Sequence, residues 1–159
     1  MNESILDGKR ILAVDDEADV LRVLEEEILS ASPTCTLDKA VTYEQAHELL
    51  SKNDYDIVVL DIMGVRGFDL LEEAVSRKMR AAMLTAHALS PEAMKKSHDL
   101  GAHAYLPKAK LGEIVPFLED VLQYEHKTVW KRLFEKLEGY YDRRFGEGWK
   151  EKSGLPYWW

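Results

Sequence analysis

The chain has 159 residues, 46% of them hydrophobic and 31% charged, which suits one domain of ordinary size with a buried core and an appendage. Residues 1–125 carry a net charge of −11 and residues 126–159 one of +3, and the acidic larger part argues against nucleic acid as the main partner. Cys35 is the single cysteine, which excludes an intramolecular disulfide, and because we find no signal peptide and no membrane-spanning apolar run, we expect a cytoplasmic protein without membrane insertion.

Apolar runs typical of buried strands alternate with helical patterns over the first two thirds of the chain. In chain order, we predict a strand at Arg10–Val14, a helix at Glu17–Leu29, a strand at Cys35–Ala40, a helix from Thr42 to about Lys52, a strand at Asp56–Leu60, a helix around Leu70–Val75, a strand at Ala81–Leu84, a helix from Ser90 to Gly101 and a strand at Ala102–Leu106. This alternation indicates an α/β domain in which helices cover both faces of a five-stranded parallel sheet.

A further helical pattern begins at Leu111 and does not stop near Tyr124, where a fifth helix would be expected to end. Apolar and aromatic residues keep helical spacing at Trp130, Leu133, Phe134, Leu137, Tyr140 and Tyr141, with charged residues between them. We therefore divide the chain into a domain at residues 8–124 and an amphipathic, aromatic-rich helical extension with its tail at residues 125–159. This second part is called the extension below.

All four tryptophans and nine of the fifteen aromatic residues of the chain lie beyond His126, in the extension. So much aromatic surface is not expected to stay exposed on a soluble monomer. Either the extension folds back on its own domain, or it pairs with another chain, as a homodimer or by docking to a partner. The extension is too short for a common DNA-binding output domain, and we expect no direct DNA binding.

Polar residues follow four of the five predicted strands at the point where each strand ends. Asp15 and Asp16 follow the first strand, Asp61 the third, Thr85 the fourth and Lys108 the fifth. A parallel sheet gathers them at the carboxyl ends of its strands, the edge at which open α/β sheets bind ligands. Three carboxylates, a hydroxyl and an ammonium form a site for Mg²⁺ and one phosphoryl group, with Asp61 as the group that is modified.

Six motifs occur in a fixed order along the chain: Asp15-Asp16, Asp61, Thr85-Ala86, Ser90-Pro91-Glu92, Leu100-Gly101-Ala102 and Tyr105-Leu106-Pro107-Lys108. Their order and spacing resemble the receiver domain of two-component response regulators over about residues 8–124. The resemblance implies a doubly wound, flavodoxin-like sheet with the strand order 2-1-3-4-5. It also implies a phosphoacceptor signalling protein and not an enzyme for external substrates.

The resemblance assigns a role to each residue of the strand-end group. Asp61 accepts a phosphoryl group from a sensor histidine kinase or a phosphotransfer protein, while Asp15 and Asp16 organise Mg²⁺ and the backbone carbonyl of Met63 completes the metal shell. Lys108 offsets the charge of the phosphoryl oxygens.

Thr85 and Tyr105 are the switch pair that the resemblance implies. Thr85 moves toward the phosphoryl group and Tyr105 turns inward. This change alters the face built by the fourth helix, the fifth strand and the fifth helix, which a downstream protein target reads.

The segment after Asp61 departs from the family pattern. The usual proline is missing, and the loop is about two residues shorter, with Gly64 and Gly67 expected to permit the tight backbone that it requires. Two alternatives stay open beside a phosphorylated switch. The shortened loop favours the first, a non-phosphorylated protein-interaction domain. The second is a phosphatase with an aspartyl nucleophile, although no substrate-recognition cap is evident.

Overall fold

The structure, a computed structural model, describes residues 3–156. Its strands are β1 (Arg10–Val14), β2 (Thr36–Ala40), β3 (Ile57–Asp61), β4 (Arg80–Thr85) and β5 (Ala104–Pro107). Its helices are α1 (Ala18–Ala31), α2 (Tyr43–Lys52), α3 (Gly67–Ser76), α4 (Pro91–Asp99), α5 (Ile114–Gln123), α6 (His126–Phe145) and α7 (Trp149–Ser153), with a 3-10 helix at Lys108–Glu113. Within residues 3–156, no helix combines the length and the apolar character needed to cross a membrane.

The five strands form one parallel sheet in the order β2-β1-β3-β4-β5, which confirms the predicted topology. β3 is buried along its whole length, because its aliphatic and β-branched side chains fill a strand that helices cover on both faces. The register pairs Asp61 with Leu84 and Thr85 with Pro107, so that β3, β4 and β5 end at one level. The polar residues at these strand ends therefore share one edge of the sheet.

Side-chain caps set the start of two of the predicted helices. The Thr42 hydroxyl accepts a hydrogen bond from Gln45 N at 3.1 Å, and the Ser90 hydroxyl accepts one from Ala93 N at 3.0 Å. Pro91 is the first residue of α4, a position at which the N–H it lacks has no helical partner. These caps define where the chain enters α2 and α4 after leaving the sheet.

The predicted C-terminal helical extension is confirmed as α6, but the prediction that the helical pattern runs on through Tyr124 is wrong, because the chain breaks there. Tyr124 has an extended backbone (φ −118°, ψ 160°), and α6 begins afresh at His126. The Arg80 guanidinium, on β4, donates hydrogen bonds of 2.6 Å to the carbonyls of Val121 and Tyr124. Arg80 thereby supplies hydrogen-bond donors to carbonyls at the C-terminal end of α5 that have no partner within the helix. Because Arg80 is distant in the chain, a local sequence pattern does not reveal this contact.

The extension folds back on its own domain, one of the two arrangements that its aromatic content allowed. α6 runs beside the edge strand β5, where Trp130 Nε1 donates to the Ala102 carbonyl at 2.8 Å and the Tyr141 hydroxyl to the Tyr105 carbonyl at 2.6 Å. Both donating side chains are fully buried. The short helix α7, which we did not predict, packs on α4 and buries Trp149.

Part of the extension lies outside the described residues, namely Tyr157, Trp158 and Trp159. The apolar stripe of α6 is already buried within one chain, so a homodimer through this helix is not needed to cover it and stays a prediction. The division of the chain after residue 124 also stays a prediction, although α6 begins close to it.

Candidate functional site

Three carboxylates meet at the carboxyl edge of the sheet. Asp15 and Asp16 follow β1, and Asp61 is the last residue of the neighbouring strand β3. One oxygen from each lies within 4.8 Å of the others. Asp15 is 1% exposed and Asp61 4% exposed, whereas solvent reaches Asp16. The structure thus brings together the three acidic residues that the sequence singled out.

Lys108 places a positive charge inside this group of carboxylates. Its Nζ lies 2.9 Å from Asp15 Oδ2 and 3.5 Å from Asp61 Oδ1. The same Nζ lies 3.2 Å from the carboxylate of Glu17, whose N–H donates to Asp15 Oδ1 at 2.9 Å. The sequence pattern did not point to Glu17, because an acid directly before a helix is ordinary and carries no separate signal.

The electrostatics of the pocket favour a further cation. Burial, together with the neighbouring Asp15 carboxylate, raises the pKa of Asp61 to about 6 against the opposing charge of Lys108. Burial also raises the pKa of Asp15. Burial works to lower the pKa of Lys108, but its hydrogen bond to Asp15 and the charge of Asp61 outweigh that effect and raise it. One ammonium therefore leaves an excess of negative charge in a partly buried site.

Thr85 lies at the pocket edge of the sheet, and hydrogen bonds join both Thr85 and Tyr105 to the loop after β4. Thr85 is buried at the end of β4, and its Oγ1 accepts a hydrogen bond from Ala88 N at 3.0 Å. The Tyr105 hydroxyl donates to the Ala88 carbonyl at 2.7 Å and accepts from Ser90 N at 2.9 Å. Tyr105 is fully buried, with the ring of Tyr141 from the extension 6.3 Å away between centroids, and its turn on phosphorylation stays a prediction.

The loop after Asp61 is tight and brings its backbone against the pocket. A Cβ on Gly64, which has φ +88°, would lie 2.3 Å from Asp16 Oδ2. A Cβ on Gly67 would lie 2.1 Å from the Asp61 carbonyl oxygen. Met63 lies in this loop with its side chain 52% exposed, and its carbonyl as a metal ligand stays a prediction.

The donor set fits a hard divalent cation. It consists of carboxylate oxygens alone, and such cations take oxygen ligands together with several waters. The raised pKa of Asp61 agrees with this fit, because burial and the neighbouring Asp15 carboxylate disfavour its charged form and a cation would offset both effects. Asp15, Asp16 and Asp61 are the residues that would hold the ion.

The sequence model of the response regulator receiver domain matches residues 11–118, more than half of the chain. The chain belongs to the response regulator receiver family. This receiver is 31% identical over 141 residues to the two-component response regulator ARR12 of Arabidopsis thaliana, in a match that covers 83% of this chain and 21% of that protein. It spans between 14% and 22% of the length of the curated relatives it matches.

Solved structures share the fold of this receiver. A CheY-like receiver domain protein from Methanospirillum hungatei JF-1 matches with a TM-score of 0.57 at 23% identity, over 85% of this chain and 98% of that one. A response regulator from Burkholderia pseudomallei, solved with a phosphorylated aspartic acid, a calcium ion and citrate, matches with a TM-score of 0.66 at 18% identity, over 86% and 82%. The comparisons confirm the predicted family and the predicted fold.

Proposed function

We propose that this receiver is phosphorylated on Asp61 by a sensor histidine kinase or a phosphotransfer protein, with Mg²⁺ bound, and that it then signals to a downstream protein target. The grouping at the sheet edge carries the proposal: Asp61 is buried within 4.8 Å of ligand oxygens from Asp15 and Asp16, and 3.5 Å from Lys108 Nζ. The phosphorylated aspartic acid and calcium ion in the Burkholderia pseudomallei relative support the same chemistry.

Transfer to Asp61 forms one bond and breaks one. A carboxylate oxygen of Asp61 attacks the phosphorus, and the bond from phosphorus to the donor's histidine nitrogen breaks. The electron pair goes to that nitrogen, and the donor, which carries a proton on its other ring nitrogen, leaves as neutral imidazole. The attack needs ionised Asp61, and a pKa of about 6 leaves that form available at neutral pH. Lys108, beside Asp61, offsets the negative charge of the incoming phosphoryl oxygens.

Two further groups would act on the phosphoryl oxygens. Mg²⁺, when bound by Asp15, Asp16, Asp61 and the Met63 carbonyl, supplies charge neutralisation that one ammonium does not provide. The hydroxyl of Thr85, at the end of the adjacent strand, would donate a hydrogen bond to one of these oxygens. This turn of the Thr85 side chain toward the phosphoryl oxygen is the first part of the proposed switch. A movement of the Tyr105 ring is the second part.

A phosphodonor experiment tests the proposal. Incubating the 159-residue protein with Mg²⁺ and acetyl phosphate should add the mass of one phosphoryl group, and Asp61→Asn should abolish the adduct. Asp54→Asn is the matched control. It removes an exposed aspartate that lies before the amino end of β3, whereas Asp61 lies at the carboxyl end, so the adduct should remain. A wild-type protein that gains no mass, or an Asp61→Asn variant that gains it equally, would contradict the proposal.

The same preparation separates the two alternatives from a signalling switch. Repeated hydrolysis of a panel of phosphate esters would indicate an aspartyl-nucleophile phosphatase. A protein that binds no Mg²⁺ and forms no adduct would be an interaction domain without phosphorylation. The proposed switch requires a single stable adduct without such turnover.

We also infer that this receiver is located in the cytoplasm and does not bind DNA directly. The free thiol of buried Cys35 suits the reducing cytoplasm. The net charge of −11 over residues 1–125 disfavours direct contact with DNA. Fractionation of cells that express the protein would test the first statement, and a binding measurement with a DNA duplex at physiological salt would test the second.

A further inference from the structure

The extension is fastened to three elements of the receiver at once. On α5, the carboxylate of Asp120 lies 2.9 Å from Lys136 Nζ and 3.1 Å from Arg132 Nε, both on α6, and Asp120 is only 6% exposed. At β5, Tyr141 of α6 donates to the Tyr105 carbonyl, and Trp130 donates to the Ala102 carbonyl just before the strand begins. On α4, the partner is α7. The face made by α4, β5 and α5 is therefore occupied by a segment of the same chain.

A continuous series of hydrogen bonds leads from the acidic pocket to this occupied face. Thr85 Oγ1, at the pocket, accepts from Ala88 N at 3.0 Å. The carbonyl of Ala88 accepts from the Tyr105 hydroxyl at 2.7 Å, and that hydroxyl also accepts from Ser90 N at 2.9 Å. The carbonyl of Tyr105 in turn accepts from the Tyr141 hydroxyl at 2.6 Å, and the two rings lie 6.3 Å apart. Four residues thus connect the site to α6.

We propose that the extension is the built-in occupant of the α4–β5–α5 face and that phosphorylation of Asp61 loosens its docking through Tyr105. The inference rests on the proposed phosphorylation of Asp61. When the Thr85 hydroxyl turns toward a phosphoryl oxygen, it no longer accepts the hydrogen bond from Ala88 N. The loop after β4 then loses one of the hydrogen bonds that fix its position. Tyr105 bonds to that loop through its hydroxyl and to Tyr141 through its backbone carbonyl. A movement of the loop therefore alters the contact by which α6 docks on β5.

Docking of the extension restrains the switch in the opposite direction as well, because coupling between two binding events is reciprocal. While Tyr141 is seated, the fully buried Tyr105 ring and the loop that it anchors are held in one arrangement. A variant with weakened docking should therefore bind a phosphoryl analogue more tightly than the wild type does. An equilibrium analogue such as beryllium fluoride with Mg²⁺ makes this measurable without a phosphorylation reaction.

Hydrogen–deuterium exchange of the full 159-residue protein tests the coupling directly. Peptides from α6 and α7 should exchange at least about fivefold faster after incubation with Mg²⁺ and acetyl phosphate, whereas Asp61→Asn should show no change. Intact mass of the same sample reports the adduct. A phosphorylated protein whose extension exchanges at the unphosphorylated rate overturns this inference and leaves the proposed function standing, and a protein without an adduct overturns both.

Tyr141→Phe is the informative variant, since it keeps the buried ring and removes only the hydroxyl that bonds the Tyr105 carbonyl. We expect about fivefold to tenfold faster exchange of α6 without any phosphodonor, from the loss of one buried hydrogen bond, and tighter binding of beryllium fluoride. Tyr140→Phe is the matched control, because its ring lies near Lys110 (5.5 Å) and its hydroxyl does not bond β5. Equal beryllium fluoride affinity in both variants would overturn the coupling.

Discussion

At the scale of single residues, the short loop after Asp61 depends on two glycines for different reasons. Gly64 has a left-handed backbone and also touches Asp16, so it needs both conformational freedom and space. Gly67 has no positive φ, and it is required because its backbone packs against the Asp61 carbonyl. The expectation that both glycines supply backbone freedom therefore holds for Gly64 alone.

Gly64→Ala should lower the affinity for Mg²⁺ by about tenfold, equivalent to about 1.4 kcal/mol. The added methyl would lie 2.3 Å from Asp16 Oδ2 and must displace that carboxylate. Isothermal titration with MgCl₂ measures the effect. Gly8→Ala is the control, because Gly8 has a similar φ of +72° but open space around its Cβ, so it should lose stability without losing affinity. Equal affinity in the two variants would rule out this role of Gly64.

At the scale of elements, the junction of α4, β5 and α6 is built from three histidines and a tryptophan. The His126 ring lies 4.8 Å from that of His98, 5.5 Å from that of His103 and 6.3 Å from that of Trp130, measured between centroids. His103 Nδ1 and His126 Nε2 are buried without a hydrogen-bond partner in the described part of the chain. Burial, together with nearby Arg80 and His126, lowers the pKa of His103 to about 4.

Acidification should therefore weaken the fold at this junction. Between pH 6.5 and 4 the unfolded chain binds a proton at His103 that the folded chain does not, so the free energy of unfolding falls as pH falls through this range. We expect the decrease in the free energy of unfolding from pH 7.5 to pH 5, measured with urea, to be about 1–2 kcal/mol smaller in His103→Gln than in the wild type. The comparison between proteins is essential, because the raised pKa values of Asp15 and Asp61 act in the opposite direction.

His87→Gln serves as the control for this pH series, since it replaces an exposed histidine outside the junction of α4, β5 and α6. Its loss of stability between pH 7.5 and pH 5 should equal that of the wild type. A His103→Gln variant with the same pH dependence as the wild type would show that His103 does not govern it.

At the scale of the whole molecule, the receiver and the extension share one hydrophobic core. Apolar side chains of the sheet and of α5 form a continuous cluster with buried residues of α6 and α7, among them Trp130, Tyr141 and Trp149. A core that crosses the junction in this way favours a single cooperative unfolding transition for the unphosphorylated protein.

Thermal unfolding with two probes tests this cooperativity without any mutation. All four tryptophans lie beyond His126, so tryptophan fluorescence reports the extension, whereas far-ultraviolet circular dichroism reports all helices and strands. The two midpoints should coincide in the unphosphorylated protein. A fluorescence midpoint several degrees lower would show that the extension separates before the receiver unfolds.

The sequence by itself was sufficient for the order and type of the sheet elements, because strand and helix patterns arise from neighbouring residues. The strand of β1 was predicted at its observed bounds, Arg10–Val14, and the start of α4 was predicted from Ser90 and Pro91. The strand-end position of Asp61 and its neighbours also followed from the chain, since a parallel sheet brings those ends to one edge.

Long-range contacts decided the rest. The end of α5 depends on Arg80, which comes from β4, and the burial of α6 depends on backbone carbonyls at the edge strand β5. The helical periodicity is similar on both sides of Tyr124, so no local signal marks the break. The sequence alone determined the family, the sheet and the acidic site, whereas only the tertiary structure decided that the aromatic extension covers its own receiver, because that choice rests on partners far apart in the chain.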